Sequence, residues 1–434
     1  IFKIEDLRAR LIYTLAIIAL YRFGKYVTLP GIDPSQLGAL KAQTSQGLMG
    51  LLDMFSGGAF SQASVFALGI MPYISASIVV QLLGIVFPYF QKLQKEGESG
   101  RRKMNQYTRY LTVAILILQA PTYLVNLTAQ LPATAFVLAN GFFFKLSSTI
   151  ILTAGTMFVM WLGERITDKG IGNGISLIIM IGIIARLPQN FVFEAGTRMN
   201  GAGGPIGLIV EIVILFVIIL GTILLVQGTR RVPVQYARRI VGNKQYGGVR
   251  QYIPLKVNAA GVMPIIFAQA IMMLPIIIAG YAQSSSGFVV AFSNMYGFWY
   301  NLVTAILIIL FTYFYTAITI NPVQMAEDMK KNGGFIPGIK PGRKTVEFFD
   351  TIMSRITLPG SIFLALIAIL PAIAVKFSVT PQFAQFFGGT SLLILVGVVL
   401  DTLQQIESHL LMRHYDGLMK SGRVKGRTGG AMSI

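Results

Sequence analysis

The sequence contains few of the side chains that catalysis or metal binding would use, and their spacing does not bring them together. It has no cysteine, which excludes disulfides, thiolate metal sites and cysteine nucleophiles. The two histidines, His409 and His414, are separated by a spacing that places them poorly on one helix face, so we expect no metal site. No nucleophile, base and orienting group occur together in any segment. The sequence therefore predicts a protein that is not an enzyme and holds no cofactor.

A glycine-rich run, Gly170-Ile171-Gly172-Asn173-Gly174, has the composition of a phosphate-binding loop. No strand-like stretch precedes it, and the spacing that follows is not that of a dinucleotide-binding motif. The run is better explained as a tight turn that begins a helix.

The composition is that of an integral membrane protein. Of the 434 residues, 54% are hydrophobic and 12% are charged, whereas soluble domains carry about 25% charged residues. A spanning helix needs about 20 mostly apolar residues. The sequence contains ten such segments, at residues 10–29, 68–88, 107–127, 146–163, 174–187, 205–227, 260–281, 297–320, 356–375 and 388–411. The fifth is short, which favours a helix enclosed by other helices.

The distribution of basic residues supports a count of ten. With both termini and the even-numbered connections on one side, that side holds 29 of the 36 Lys and Arg residues. Because cytoplasmic loops are enriched in Lys and Arg, the sequence predicts that both termini are cytoplasmic. The span interiors are almost free of charge, and Glu211 lies close enough to a helix end for its carboxylate to snorkel to the interface.

Two short patterns each occur twice. A-x-G-[I/V]-M-P-x-I-x-A spans 67–76 and 259–268, and G-x-S-L-[I/L]-I spans 174–179 and 389–394. Because five spans per half is odd, the second half must be inverted relative to the first. We therefore predict an all-α polytopic membrane protein with ten transmembrane helices, arranged as two inverted five-helix halves around a central pore. The predicted halves are 1–187 and 188–411, followed by a basic cytoplasmic tail at 412–434.

In such an arrangement, equivalent residues of the two halves converge at mid-membrane. The repeats pair Ile74 with Ile266 and Ile179 with Ile394, and Ile70 is matched by Val262. A ring of branched aliphatic side chains makes a narrow constriction that excludes ions by dewetting. The alternative is that these isoleucines only pack within the bilayer.

Residues 47–58, between the first two spans, are too few to cross a bilayer and too apolar for an exposed loop. We predict a half-helix folded back into the protein, which the bilayer tolerates only where protein or a cavity surrounds it. Gly57 and Gly58 are expected to end this segment flexibly. The alternative is an amphipathic helix on the outer surface. Pro72 and Pro264 lie at the starts of their spans, where the missing N–H costs little.

Two cytoplasmic connections are longer than joining neighbouring helices requires. Residues 227–258 carry no acidic side chain and are predicted to form a protruding β-like loop, and residues 321–355 are mixed in charge. A basic protrusion favours an acidic docking partner, such as the RNA of a ribosome or an acidic protein surface. The alternative is topology together with contact to anionic lipids. The basic docking candidates are Arg230, Arg231, Arg238, Arg239, Lys244, Arg250 and Lys340.

Several runs, in order along almost the whole chain, resemble the bacterial SecY family, which forms the central subunit of the Sec protein-translocation channel. These runs are Asp53–Gly58, Phe66–Ser77, Lys95–Arg102, Gln106–Arg109, Met160–Glu164, Gly170–Ser176, Leu255–Asn258, Phe335–Ile339 and Phe387–Ile394. One difference is Lys340, which stands where the family pattern has Arg and cannot form the bidentate contacts of a guanidinium.

The resemblance implies a channel that passes unfolded polypeptides across the membrane and releases hydrophobic helices sideways into it. It implies a plug at about 48–58, including Leu51, Leu52, Met54, Phe55, Gly57 and Gly58. It implies a pore ring of Ile70, Ile74, Ile175, Ile179, Ile266 and Ile394. It implies a lateral gate, for which Ser75, Gln81 and Leu274 are candidates.

The resemblance also implies partners and a location. The partners are the small membrane subunits SecE and SecG, the SecA ATPase or a translating ribosome, signal peptides, nascent chains and anionic lipids. The location is the bacterial cytoplasmic membrane. The alternative function is a secondary solute transporter, which would require polar ligand groups where this sequence has aliphatic ones. A scaffold that only recruits cytoplasmic partners would leave the repeat and the plug-like segment without a role.

Overall fold

The computed structural model describes residues 4–38, 53, 56–136, 141–201, 204–236, 239–241, 244–246, 250–269, 271–272 and 295–420. These residues are mostly helical and belong to two compact units. The first unit holds the described residues up to Ala185 and those from Val398 onward, and the second runs from Arg186 to Gly397.

The helices of the first unit are α1 (Glu5–Gly24), α2 (Met71–Val86), α3 (Pro88–Lys95), α4 (Glu98–Gln130), α5 (Phe142–Lys169) and α6 (Gly174–Ile184). The second unit contains α7 (Leu187–Asn200), α8 (Gly204–Gln227), α9 (Phe298–Thr319), α10 (Pro322–Lys331), α11 (Arg343–Lys376) and the short α12 (Pro381–Ala384). The last helix, α13 (Gly389–Lys420), begins in the second unit and ends in the first.

Among the described residues, seven helices are long and apolar enough to cross a membrane, and the bent pair Met71–Gly84 and Pro88–Gln94 would make an eighth. They correspond to eight of the ten predicted spans. The first predicted span corresponds to α1, which does not belong to this set, and the seventh lies partly outside the described residues. The protein is therefore a multi-pass membrane protein, while ten spans in two inverted halves remain a prediction.

The prediction of a short fifth span is wrong. Only two residues separate α6 from α7, and Gly174–Met199 together form one candidate span. Glu194 and Arg198 interrupt the apolar sequence beyond residue 187, but both side chains are buried and paired with each other. A paired charge costs far less in an apolar environment than an isolated one.

The repeated patterns adopt the same local structure in both copies. Gly69 and Gly261 have φ angles of 55° and 63°, in the left-handed region that glycine enters at low cost. A helix begins two residues later in each case, so Pro72 and Pro264 both lie at helix starts, as predicted. The second pattern also begins a helix at equivalent residues, α6 at Gly174 and α13 at Gly389.

The described residues of the second unit include two small β-sheets, so the expectation of an all-α protein is wrong in this part. The strands are β1 (Thr229–Tyr236), β2 (Arg239–Val241), β3 (Lys244–Tyr246), β4 (Arg250–Lys256) and β5 (Gly334–Phe335), of which β2 and β3 form a separate antiparallel pair. The strands β4, β1 and β5 are adjacent in that order, and both pairings are antiparallel. The predicted β-like loop is confirmed. The two long connections, which the sequence treats as separate, form one folded body because β5 pairs with β1.

This body has its own apolar core. Val232 and Val234 of β1 and Leu255 of β4 pack against Phe349 at the start of α11 and Met329 at the end of α10. Along β1 the buried valines alternate with exposed residues, as expected for a strand with one covered face. The basic side chains of the connection are therefore carried by a folded support.

Candidate functional site

The C-terminal end of the predicted plug is fixed to α1 by two hydrogen bonds. The Tyr21 hydroxyl donates to the carbonyl of Ser56 at 3.3 Å, and Nη1 of Arg22 donates to the carbonyl of Gly57 at 3.2 Å. Adjacent residues of one helix therefore hold adjacent carbonyls. Because a buried carbonyl without a donor is costly, these contacts define where the segment lies.

A third donor comes from α4. The buried hydroxyl of Tyr123 donates to the carbonyl of Phe60 at 2.9 Å, and the two rings meet edge to face with centroids 4.8 Å apart. Such an aromatic pair adds about 0.5–1.5 kcal/mol beyond the area that it buries. We call residues 56–70, together with these three donor side chains, the anchor.

Asp53 closes the first turn of the anchor. Its carbonyl accepts from the amide of Gly58 at 2.7 Å and from the hydroxyl of Ser56 at 3.0 Å, and its Oδ1 accepts from the amide of Ser61 at 2.8 Å. The side chain is buried. The carbonyl and the carboxylate of one buried residue thus satisfy the amides of Gly58 and Ser61.

Gly57 and Gly58 do not form a flexible end, which corrects the sequence-based expectation. Their φ angles are 65° and 89°, and both residues are buried. A Cβ atom on Gly57 would lie 2.9 Å from Nη1 of Arg22 and 2.9 Å from the Cα of Gly182 in α6. The glycine is needed for its backbone angle and for this close approach. The other predicted plug residues, Leu51, Leu52, Met54 and Phe55, lie outside the described residues.

Phe66 fills the space between the anchor and two helices. Its ring stacks on Tyr21 of α1 with centroids 6.1 Å apart and on Phe158 of α5 at the same distance. A Cβ on Gly24 would overlap the Phe66 ring at 2.0 Å. Tyr21, Arg22, Tyr123 and Phe66 could not be recognised as one group from the sequence, because they come from three separate segments and share no spacing. The available signal was the pair Tyr21 and Arg22, which follows the apolar run Leu15–Leu20 of α1.

The predicted ring residues of the first unit lie at helix starts next to the anchor. Ile70 ends the anchor and precedes α2, and Ile74 lies one turn further. Ile175 and Ile179 lie in the first two turns of α6, where Ile179 is buried and Ile175 is half-buried. A Cβ on Gly163 of α5 would lie 2.9 Å from Cγ1 of Ile175, so a close helix contact holds Ile175.

The ring residues of the second unit occupy the same helix positions. Ile266 is the fourth residue of its helix, as Ile74 is of α2. Ile394 is the sixth residue of α13, as Ile179 is of α6. The structure therefore brings each set to matching helix starts within its own unit.

The turn at Gly170–Gly174 has its amide donors occupied, as expected for a structural turn. The amides of Ile171, Gly172 and Gly174 donate to Thr14 Oγ1, Gln405 Oε1 and Thr167 Oγ1 at 3.2, 2.9 and 2.9 Å. The side chain of Asn173 caps α6 by accepting from the amide of Ser176 at 3.2 Å. These amides are not available to a phosphate group.

The candidate gate residues Ser75 and Gln81 are half-buried on α2. Nε2 of Gln81 donates to the hydroxyl of Ser77 at 3.4 Å. Leu274 lies outside the described residues.

The described docking candidates lie on the two sheets and on the connection that follows β5. Arg230, Arg231 and Lys340 are exposed, and Arg239, Lys244 and Arg250 belong to β2, β3 and β4. Arg238 lies outside the described residues. Because Val232 and Val234 face the core, Arg231 lies on the opposite face of β1, and Tyr252 lies on that face of β4. This face combines positive charge with an exposed aromatic ring. In the described part of the chain, no group of three His, Asp or Glu side chains is placed to hold a metal ion.

Comparison with known proteins gives a consistent result. The family model for SecY matches residues 64–403. A curated relative from Corynebacterium glutamicum, named protein translocase subunit SecY, is 44% identical over 438 residues, which cover 96% of this chain and 98% of the relative.

The fold is also that of solved channel structures. One solved structure superimposes with a TM-score of 0.61 at 17% identity, over 93% of this chain and 92% of the other. Its description states that the plug domain of the SecY protein stabilises the closed state of the translocation channel and maintains a membrane seal. Sec61 in the canine ribosome–channel complex superimposes with a TM-score of 0.57 at 16% identity, with the same coverage. At these identities the likeness concerns the fold alone.

Proposed function

The chain belongs to the SecY family and is a protein translocase subunit, and from this premise we propose that residues 48–58 close its channel at rest. The channel passes unfolded polypeptides across the membrane and releases hydrophobic helices into the bilayer. The observation that carries the proposal is the anchor. Two side-chain donors from α1 hold the carbonyls of Ser56 and Gly57 at the end of the proposed plug, and one from α4 holds the carbonyl of Phe60 just after it.

The anchor gives the plug a fixed end. Residues 56–70 are held by hydrogen bonds and by the stacked Phe66 ring, and residues 56–58 are also the end of the proposed plug. Opening would break the contacts of Tyr21 and Arg22 with this end, and closing would form them again with the same donors. We therefore propose that the anchor makes closure reversible.

The ring supplies the constriction that the plug covers. We propose that Ile70, Ile74, Ile175, Ile179, Ile266 and Ile394 form it. Isoleucine is stiff at χ1, so a ring of such side chains keeps a defined aperture. It offers no polar group to hold an ion, and a narrow apolar constriction resists wetting. Substrates of varied sequence are able to pass because no specific contact retains them.

Release of helices into the bilayer requires a lateral gate. The candidates are α2, which carries Ser75 and Gln81, and Leu274. We propose that a partner drives transport. We propose that SecA or a translating ribosome docks on the basic face of the sheet and at Lys340, and that SecE and SecG accompany the chain in a bacterial cytoplasmic membrane with both termini on the cytoplasmic side. A ribosome-bound relative with the same fold supports this docking.

Ion conductance in planar bilayers tests the proposal. The purified full chain is compared with a variant that lacks residues 48–58. We expect a silent membrane for the full chain and a steady leak for the deletion, because the ring alone seals less well than the ring with the plug. Silence of both proteins, together with uptake of a small solute against its gradient, would replace the channel with a transporter.

A matched deletion controls for general disruption. Removing an equal number of residues from 421–434, in the basic tail, changes length and charge without touching the anchor. If this control leaked as strongly as the plug deletion, the leak would report damage to the chain and the plug assignment would be wrong.

A further inference from the structure

A group of buried charges in the second unit has no role in the function proposed above. Glu194 and Arg198 lie one turn apart on α7, and Glu211 lies on α8. Their exposed fractions are 0%, 8% and 6%. The expectation that Glu211 snorkels to the interface is therefore wrong. Burying three charged groups is costly unless each is paired.

These charges pair with one another and with the segment at the end of α11 and just after it. Oε2 of Glu194 accepts from the amide of Thr380 at 3.0 Å and also from the Thr380 hydroxyl. Arg198 donates from Nε to Glu194 at 3.2 Å and from Nη2 to both Glu211 and the carbonyl of Phe377, the latter at 3.2 Å. The Phe377 carbonyl belongs to the C-terminal end of α11, where a cation is favourable.

The same face of α7 holds the next residues of that segment. Nδ2 of Asn190 donates to the carbonyl of Gln382 at 3.3 Å, and the ring of Phe191 packs on Phe383 with centroids 6.0 Å apart. The contacts of α7 therefore extend from the end of α11 into α12. We call this set, from Asn190 to Arg198 with Glu211, the brace.

The segment between Thr380, which contacts the brace, and α13 has little conformational freedom. It contains α12 and one 3₁₀ turn, Gln385–Phe387, in which Phe386 and Phe387 are buried. Gly388 then approaches α11 so closely that a Cβ would lie 2.2 Å from the carbonyl oxygen of Ile367. α13 begins at the next residue. Because this segment has no long loop that could absorb a displacement at Thr380, the displacement is transmitted to the first turns of α13.

We propose that Glu194, Arg198 and Glu211 are positioning residues that fix the start of α13 and thereby the side chain of Ile394. The inference rests on the proposed function, because Ile394 matters only as a member of the ring. Charge-assisted hydrogen bonds suit this task, since they weaken steeply when their geometry changes. The brace keeps one side of the constriction at a constant position while the channel is closed.

The absence of cysteine in the natural sequence makes the test direct. Ile394→Cys is introduced into the full chain as a reporter, and its reaction with a membrane-impermeant thiol reagent is followed in lipid nanodiscs. Ile265→Cys, a fully buried core position of the same unit, reports general loosening. The brace is broken by Thr380→Val, which removes the hydroxyl donor to Glu194, and in a second protein by Arg198→Met.

The matched control is Thr197→Val, the same change on α7 at an exposed threonine that bonds only to the carbonyl of Phe193 in its own helix. We expect Thr380→Val to raise the labelling rate at Ile394→Cys roughly fivefold or more, the lower end of typical coupling between sites. The rates at Ile265→Cys and in the Thr197→Val protein should not change. Equal labelling of Ile394→Cys in the Thr380→Val and Thr197→Val proteins, or equal increases at both reporters, would overturn the proposal.

A separate arm isolates the proposed function. In the chain that lacks residues 48–58, Ile394→Cys should react rapidly with the brace intact, because the open pore is wet. If it stays unreactive there, Ile394 does not line a pore and the ring assignment fails. The effect of Thr380→Val on the same reporter in the full-length chain still decides whether the brace holds the start of α13.

Discussion

Replacing Gly57 with alanine should open the resting channel, because this residue belongs to the plug and is also held by the anchor contacts. An L-residue at a positive φ such as the 65° of Gly57 costs about 1–2 kcal/mol. The new methyl group would also lie 2.9 Å from both the Cα of Gly182 and Nη1 of Arg22. The Arg22 side chain can move, but the Gly182 backbone belongs to α6 and cannot move without displacing that helix.

The expected magnitude follows from these two costs. Overpacking a tight contact typically costs about 1–3 kcal/mol, so together with the backbone cost the closed state loses about 2 kcal/mol or more. Every 1.4 kcal/mol changes an equilibrium constant about tenfold. The ratio of open to closed channels should therefore rise about 30-fold or more.

The matched control is Gly97→Ala. Gly97 also has a positive φ, 70°, but no atom lies within 4 Å of the position of its Cβ. Both variants therefore carry a backbone cost, and only Gly57→Ala also creates the overlap with α6. A second variant, Arg22→Met, keeps the glycine and removes the hydrogen bond to its carbonyl, so it loosens the anchor without adding volume.

Resting conductance in planar bilayers measures the effect, with the amount of folded protein checked for each variant. We expect a leak from Gly57→Ala, a smaller leak from Arg22→Met and silence from Gly97→Ala. A silent Gly57→Ala protein in a preparation whose plug deletion leaks would show that the anchor does not hold the plug closed. An equal leak from Gly97→Ala would show that strain anywhere in the unit opens the channel.

Two further substitutions test the anchor and the sheet separately. Tyr123→Phe removes the hydroxyl that satisfies the carbonyl of Phe60, so the free energy of unfolding should fall by about 1–3 kcal/mol. Thermal denaturation should show this loss. Tyr110→Phe, at a side chain that is 71% exposed, should show no loss. Arg231→Glu reverses a charge on the outer face of β1, so binding to a ribosome should weaken and the slope of log K against log salt should fall by about one unit. Thr229→Val, on the same face of the strand, should leave that slope unchanged, and an unchanged slope for Arg231→Glu would remove this face from the docking surface.

The sequence predicts helix starts well in this protein because their signals are local. Pro72 and Pro264 mark the first turn of a helix, and the Gly57, Gly69 and Gly261 backbone angles are ones that favour glycine. The strand alternation of Val232 and Val234 is likewise visible in the sequence. Each of these features depends on residues that are neighbours along the chain.

The features that the sequence did not predict depend on residues far apart along it. The pairing of β5 with β1 joins two connections that lie far apart along the chain. In the sequence, Glu194, Arg198 and Glu211 are polar residues in largely apolar segments. Only the tertiary structure places Thr380 beside Glu194. The anchor combines α1, α4 and a turn-rich segment that has no periodic pattern. Burial of polar groups is the common reason, since their partners are fixed by tertiary structure alone.

The repeated Gly-x-Met-Pro pattern explains why branched side chains recur at the same helix position. Glycine at a positive φ turns the chain just before the helix, and proline at the first turn fixes the direction of its start. The fourth residue, Ile74 or Ile266, is therefore placed by backbone geometry and not by its own packing. The two copies differ in one respect. A Cβ on Gly69 would lie 3.3 Å from the Cα of Ser56, whereas no described atom lies within 4 Å of a Cβ on Gly261. In the first unit the turn at Gly69 thus also contacts Ser56 at the start of the anchor. A displacement of Ser56 therefore acts on the backbone that places Ile74.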